Sequence, residues 1–349
     1  MTWDVAIVGG GPAGLSAAIR AARRGFKTVL FERSEGAPDK ACGEGLMPSG
    51  QRQLHELGVR IPVDQCAEFH GIQYIQEDGR ALTARFTHGK GLGIRRTALT
   101  AALRTRALES GAELRHASVD ELIAPGKLLT SEGPIEARLV IAADGLHSPL
   151  RRAAGLERPS LAQPRFGLRR HFAVKPWTDL VEVHWAGGVE AYLTPTGPAT
   201  TNVAFLFWQK GGFDSLLAKF PRLQERLHGA QPESEVRGAG PLLQRVTGRT
   251  ADRLALLGDA AGYVDAITGQ GLTLALHSSA LLFDLLPQDL SGALPLQQYE
   301  AALRAPWRRY ALPAAALVAL SQRPRARRAA LNALRIVPGA FTALVNGVG

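Results

Sequence analysis

Gly9, Gly11 and Gly14 give the stretch "DVAIVGGGPAGLSAAIRAARRGFKTVLFE" (4–32) the G-x-G-x-x-G spacing that can hold a dinucleotide pyrophosphate. Each glycine has its own task. The first permits a tight turn, the second lets the backbone approach a phosphate, and the third lets the following helix pack closely on the preceding strand. Pro12 and Ala13 complete the turn, and the amides at the helix start meet phosphate where the helix dipole favours negative charge. Glu32, eighteen positions after Gly14 and followed by Arg33, closes the next apolar run. A carboxylate there accepts hydrogen bonds from a ribose diol and repels a 2′-phosphate, so NADP as the tightly held ligand is disfavoured. FAD and NAD both remain.

The elements that must position this loop are a buried strand through Val5–Val8, a helix from Leu15 to Arg24 stopped by Gly25, and a second strand through Thr28–Phe31. Two later segments repeat the logic. "RLVIAADGLHSPLRR" (138–152) ends an apolar strand on Asp144-Gly145. "RLALLGDAAGYVDAITGQGLTLALHSSALL" (253–282) ends one on Gly258-Asp259, then turns through Gly269 and Gln270 into a helix beginning near Gly271 and Leu272. Together with the opening fingerprint, these residues resemble the FAD-dependent family of p-hydroxybenzoate hydroxylase and geranylgeranyl reductase over roughly residues 4 to 286.

The resemblance implies FAD as the cofactor, with Asp259 on the ribityl chain and Asp144 and Gly145 near the flavin and pyrophosphate. It also implies that Arg96 of "GIRRTALTAALRTRA" (93–107) approaches the phosphates or ribityl chain, with Arg95 as runner-up. The helix near Gly271 would aim its N-terminus at the pyrimidine edge of the isoalloxazine, favouring the reduced flavin. Gly269 and Gly271 would let amides approach, while Thr268 and Gln270 add polar contacts. "KACGEGLMPSG" (40–50) resembles the Cys-Gly-x-x-Leu segment of geranylgeranyl reductases through Cys42, Gly43, Leu46 and Pro48. That places Cys42 and Glu44 beside the flavin as candidate catalytic residues.

The expected fold is α/β: a Rossmann-like FAD-binding domain made of 1–68, 91–162 and 248–290, a mostly antiparallel substrate domain of 69–90 and 163–247, and a C-terminal helical segment, 291–349. The strand runs are "FHGIQYIQ", "ALTARF", "FGLRRHFAV", "VEVHWA", "VEAYLTP" and "TNVAFLF". Along them Glu182 and His184 share one face against Val183 and Trp185, and Glu190, Tyr192 and Thr194 oppose Val189, Ala191 and Leu193. One face covers the flavin, and His184 and Tyr192 are the catalytic candidates it could supply. "VEAYLTP" departs from the reductases' Y-x-W-x-F-P element: only Pro195 is kept. The W-x-W pattern of flavin-dependent halogenases does not occur.

The leading expectation is therefore a monooxygenase acting on a hydrophobic aromatic, polyketide or quinone-like molecule, with NAD(P)H visiting as a transient electron donor because no second G-x-G-x-x-G is present. A reductase saturating an isoprenoid double bond is the alternative, and a non-catalytic FAD protein binding a partner or lipid is the third reading. Composition fits a globular enzyme, with 46% apolar and 21% charged residues. Cys42 and Cys66 have neither redox-pair nor zinc spacing, so no metal is expected. The opening lacks a secretory pattern, and the chain is expected in the cytoplasm. Of the +10 net charge, eight arginines lie in residues 301–349, which hold no lysine or acid. The first 300 residues are nearly balanced, which argues against nucleic-acid binding. Pro306, Pro313, Pro324 and Pro338 are expected to divide the tail into short helices, either a packed cap or a peripheral membrane contact.

Overall fold

In the computed structural model, which describes residues 2–209 and 211–348, the apolar runs around the glycine loop become the centre of a parallel sheet. Its central order is Leu254–Leu256, Gly133–Ala142, Thr2–Val8, Thr28–Glu32 and Glu113–His116. These strands read as continuous apolar runs because both faces are covered. Helices Pro12–Arg23, Arg96–Glu109 and Gly271–Leu285 pack on one face around Leu15, Ile19, Leu99, Leu103 and Leu276. The antiparallel pair Val119–Ala124 and Lys127–Thr130, with the short helix Pro149–Ala153, covers the other.

The first helix begins at Pro12 rather than Leu15, since proline's fixed φ and missing N–H suit the first helical position. The helix at Gly271 starts where the sequence placed it.

The second large sheet runs Gln231–Pro232, Phe166–Ala173, Thr200–Phe207, Val189–Pro195, Val181–Ala186, Gly71–Ile75 and Ala81–Arg85. Neighbours are antiparallel except Val181–Ala186 against Gly71–Ile75, which is parallel. The run at 69–76 divides at His70: Cys66–Phe69 joins a small sheet with Gly91–Ile94, and Gly71–Ile75 joins the large one.

Pairing fixes the faces. Val183 stands opposite Tyr192 and Trp185 opposite Glu190, so these four share one face. That face packs with Tyr74, Leu82 and Leu206 against Ile267 and the C-terminal helices. The opposite face, with Ala191, Leu193, Val203 and Phe205, is covered by the helices Phe213–Leu217 and Pro221–Arg226.

The tail corrects one expectation. Pro306 and Pro313 do not end helices: Leu296–Ser321 runs through both. Each proline costs a backbone hydrogen bond. Burial of Tyr299, Leu303, Tyr310 and Ala314 along the same helix outweighs that local preference. Pro324 and Pro338 do open new helices, Pro324–Ile336 and Pro338–Val348.

Candidate functional site

The three loop segments interlock through glycine. Gly9 has φ +107°, and a Cβ there would stand 2.3 Å from the Ala143 carbonyl oxygen, immediately before Asp144. A Cβ on Gly14 would meet the Gly9 carbonyl at 1.9 Å, so the helix rests on the turn with no room for a methyl group. Arg151, fully buried, joins the second and third segments: it donates to the carbonyls of Leu146 and Ala260 and to Glu157 Oε2 and Gln244 Oε1 at 2.9–3.3 Å. No local signal marks this residue in the sequence, since it clamps segments about a hundred residues apart.

Glu32 closes the nucleotide end. Its Oε2 accepts from the Gly10 amide at 2.7 Å and its Oε1 from the Ser34 amide at 2.9 Å. Beside it a cavity of about 230 Å³ is lined by Gly10, Glu32, Ser34, Arg104, Arg115 and His116. Arg33 follows on the exposed side, its carbonyl 2.9 Å from His116 Nε2.

At the other end of the loop, the Arg96 guanidinium lies 3.4 Å from where a Gly11 Cβ would stand. Arg96, Lys40 and Arg151 surround Asp259. Burial pushes the Asp259 carboxyl up, and these cations oppose the shift. Burial also lowers the Lys40 ammonium. Asp144 is pushed up by burial too; its Oδ2 accepts from the Leu150 amide at 3.2 Å, while Oδ1 is buried without a partner. Arg96 Nε and Thr268 Oγ1 are likewise buried with their hydrogen-bonding capacity unmet. Buried polar atoms of this kind call for a ligand. Cations at the glycine turn, free acceptors on the acidic strand ends and a roomy nucleotide end fit FAD.

Cys42 and Glu44 are held between the two sheets. Glu44 is buried at φ +60°, a backbone conformation costly for a residue with a side chain. Its Oε1 accepts from the Arg96 amide at 2.7 Å, and its Oε2 lies 2.5 Å from His171 Nε2. His171 in turn meets Ser234 Oγ at 2.9 Å. The Cys42 carbonyl accepts from Asn202 Nδ2 at 3.0 Å, and the Cys42 sulfur accepts from the Glu44 amide at 3.3 Å. Burial pushes the Cys42 thiol up.

Tyr192 lies on the same sheet face as a buried charged cluster. Arg165 donates to Glu190 Oε2 at 2.5 Å and lies 3.1 Å from Asp265 Oδ1, and the Tyr192 hydroxyl donates to Glu190 Oε2 at 3.1 Å. Burial pushes Glu190 up to about 7, opposed by Arg165 and reinforced by Asp265. Cys42, Asp259, Tyr263 and Tyr192 are each only half-buried. The start of helix Gly271–Leu285, with Gly269, Gln270 and Leu272, follows directly from the loop that carries Tyr263 and Asp265.

His184 lies elsewhere. It points to the other sheet face, 2.8 Å from Glu182, which also receives Trp177 Nε1 and Arg226. Arg165, Asp265, Tyr263 and His171 were not singled out in the sequence; each is a lone polar residue that long-range packing brings in.

The model of the "FAD binding domain" family matches residues 2–200. The chain is 30% identical to digeranylgeranylglycerophospholipid reductase 1 of Methanopyrus kandleri, covering 86% of this chain and 85% of that protein. It is 27% identical to menaquinone reductase of Mycolicibacterium smegmatis, covering 85% and 81%. Among solved structures it resembles a geranylgeranyl bacteriochlorophyll reductase-like protein of Thermoplasma acidophilum, with TM-score 0.76, 24% identity, and coverage of 92% and 87%.

Proposed function

Because this chain belongs to the FAD binding domain family and is an FAD-dependent oxidoreductase, we propose that it saturates a carbon–carbon double bond in the isoprenoid chain of a lipid or quinone. The observation that carries this reading is the apolar cluster that adjoins the loop segments of the cofactor site. Cys42 and Asp259, on the side of the glycine loops, lie near Tyr263, and Tyr263 packs against the apolar cluster of Tyr74, Val183, Trp185, Ile267 and Tyr310, surroundings suited to a long hydrocarbon. Relatives matched along most of their length are named as reductases of prenylated lipids and quinones, which supports this alternative over the oxygenase expected from the sequence.

Saturation adds two electrons and two protons across the double bond. FAD, when bound, supplies the electrons, and NAD(P)H is proposed as the outside donor that replenishes them. Arg96 and the amides of the glycine turn bind the phosphates, Asp259 the ribityl hydroxyls, and Glu32 the ribose. Cys42 stays a neutral thiol because burial opposes its ionisation, so it can hold a proton beside the cofactor site. The apolar lining excludes water and orients the chain.

A second reading rests on one feature. Glu190, Tyr192 and Thr194 occupy the places of Tyr, Trp and Phe in the reductase element, and with Arg165 they give a polar patch suited to a phenolic or quinone ring. The test is mass spectrometry of products from geranylgeranyl lipids and menaquinones, using FAD-loaded protein reduced with dithionite in the absence of oxygen. A product heavier by two hydrogen atoms per bond is expected. A product gaining an oxygen atom, formed only with NAD(P)H in air, would overturn the reductase reading in favour of the oxygenase.

A further inference from the structure

The C-terminal helices close over the substrate sheet. Arg327 on Pro324–Ile336 is buried, pairs with Glu77 and stacks 4.7 Å over the Trp185 ring. Phe341 on the last helix meets the Tyr74 ring edge-on at 5.6 Å, and Asn346 accepts from the Thr87 amide at 2.8 Å. Leu331 and Phe341 belong to the same apolar cluster as Ile267 and Tyr310. An unbroken apolar path therefore runs from the loop before helix Gly271–Leu285 to the C-terminal helices.

The outer side of these helices differs from a solvated cap. Arg325, Arg328 and Arg335 are exposed on Pro324–Ile336, whereas Arg327 and Leu331 are buried; Arg328 lies 3.6 Å from Glu77, and Arg325 and Arg335 face outward. Where the two helices meet at 108°, Ile336 is 83% and Val337 58% exposed, and Leu344 on the last helix is 56% exposed. Residues 301–349 contain no acid of their own, and of their arginines Arg327 and Arg328 are paired with Glu77. Among the described residues no single helix is long and apolar enough to cross a membrane.

We infer that this corner docks on an anionic bilayer, with the arginines on lipid phosphates and Ile336, Val337 and Leu344 in the interface, and that it opens the apolar path to a substrate chain held in that bilayer. The second half of this inference rests on the reductase reading above; the docking surface does not. Charge complementarity selects the lipid surface over a second copy of the chain, whose matching corner would carry the same positive charge.

The test is sedimentation of the FAD-loaded full-length protein with phosphatidylglycerol–phosphatidylcholine vesicles and with pure phosphatidylcholine vesicles, at low and high salt. Binding to the anionic vesicles, falling steeply with salt, is expected. R325Q with R335Q should weaken it about thirtyfold, since each surface arginine contributes about a factor of five. Ile336, Val337 and Leu344 replaced together by Ser should weaken binding to anionic vesicles at either salt concentration. No binding by the parent protein, or binding by both variants equal to the parent's, would overturn the inference. So would sedimentation equilibrium showing a dimer that the serine variant converts to monomer, which would assign the corner to a second copy. Because vesicle binding is read without turnover, its failure leaves the reductase reading standing, and failure of that reading leaves the docking surface standing.

Discussion

Replacing Glu190 with Gln isolates one buried proton. Glu190 is fully enclosed beside Arg165 and Asp265, and burial, reinforced by Asp265 and opposed by Arg165, raises it from its ordinary 4.5 to about 7. The folded protein therefore holds a proton that the unfolded chain releases between those two values. For an acid raised on folding, the stability linked to its proton is fully present below pH 4.5 and is lost as pH rises through 7. A shift of about 2.5 units at about 1.4 kcal/mol per unit makes that loss about 3 kcal/mol. Gln keeps the shape and cannot ionise. The unfolding free energy of the parent, measured by urea titration of FAD-loaded protein, should fall relative to E190Q by about 3 kcal/mol between pH 4.5 and 7.5, with no relative change below pH 4.5. A difference that stays flat across that window would refute the buried-carboxyl reasoning. The partner gives a check of different sign: R165M leaves Asp265 buried without its counter-charge and should cost about 3–5 kcal/mol at neutral pH.

Asp259→Ala should keep the fold and weaken FAD retention by about ten- to a hundredfold, the loss of one charge-assisted hydrogen bond, read by quenching of FAD fluorescence on titration; unchanged affinity would remove Asp259 from the cofactor site. Cys42→Ala and Tyr192→Ala should each lower turnover more than tenfold at normal FAD content, whereas His184→Asn, on the covered face of the sheet, should leave turnover within about twofold; a loss at His184 with none at Tyr192 would mean that the two sheet faces have been assigned the wrong way round. Gly14→Ala puts a methyl group 1.9 Å from the Gly9 carbonyl and should lower Tm and abolish FAD binding together, so a stable, yellow variant would show that the helix does not rest on the turn.

What the sequence determined by itself is the cofactor loop and the class of fold. Gly14 and Pro12 act through neighbours a few residues away, and Gly9 and Glu32, though they meet Ala143 and the Gly10 amide, stand at a turn and a strand end that local spacing marks. The strand-ending Asp144 and Asp259 could be read for the same reason. The period-two alternation in Val181–Ala186 and Val189–Pro195 showed which residues share a face, yet it could not say which face meets the cofactor. That was decided by which elements pack on each side: the loop carrying Ile267 on one and the helix Pro221–Arg226 on the other.

The tertiary structure also decided the polar interior. Glu44 meets His171 across 127 residues, and Arg165 meets Glu190 across 25, each between elements whose sequences carry no sign of the other. It overrode local preference in the tail, where Pro306 and Pro313 sit inside one helix. The physical reason is the same in each case. Turn and strand chemistry is set by sterics within a few residues of chain, whereas the pairing of buried charges and the survival of a proline in a helix depend on the free energy of burial against partners far away in sequence.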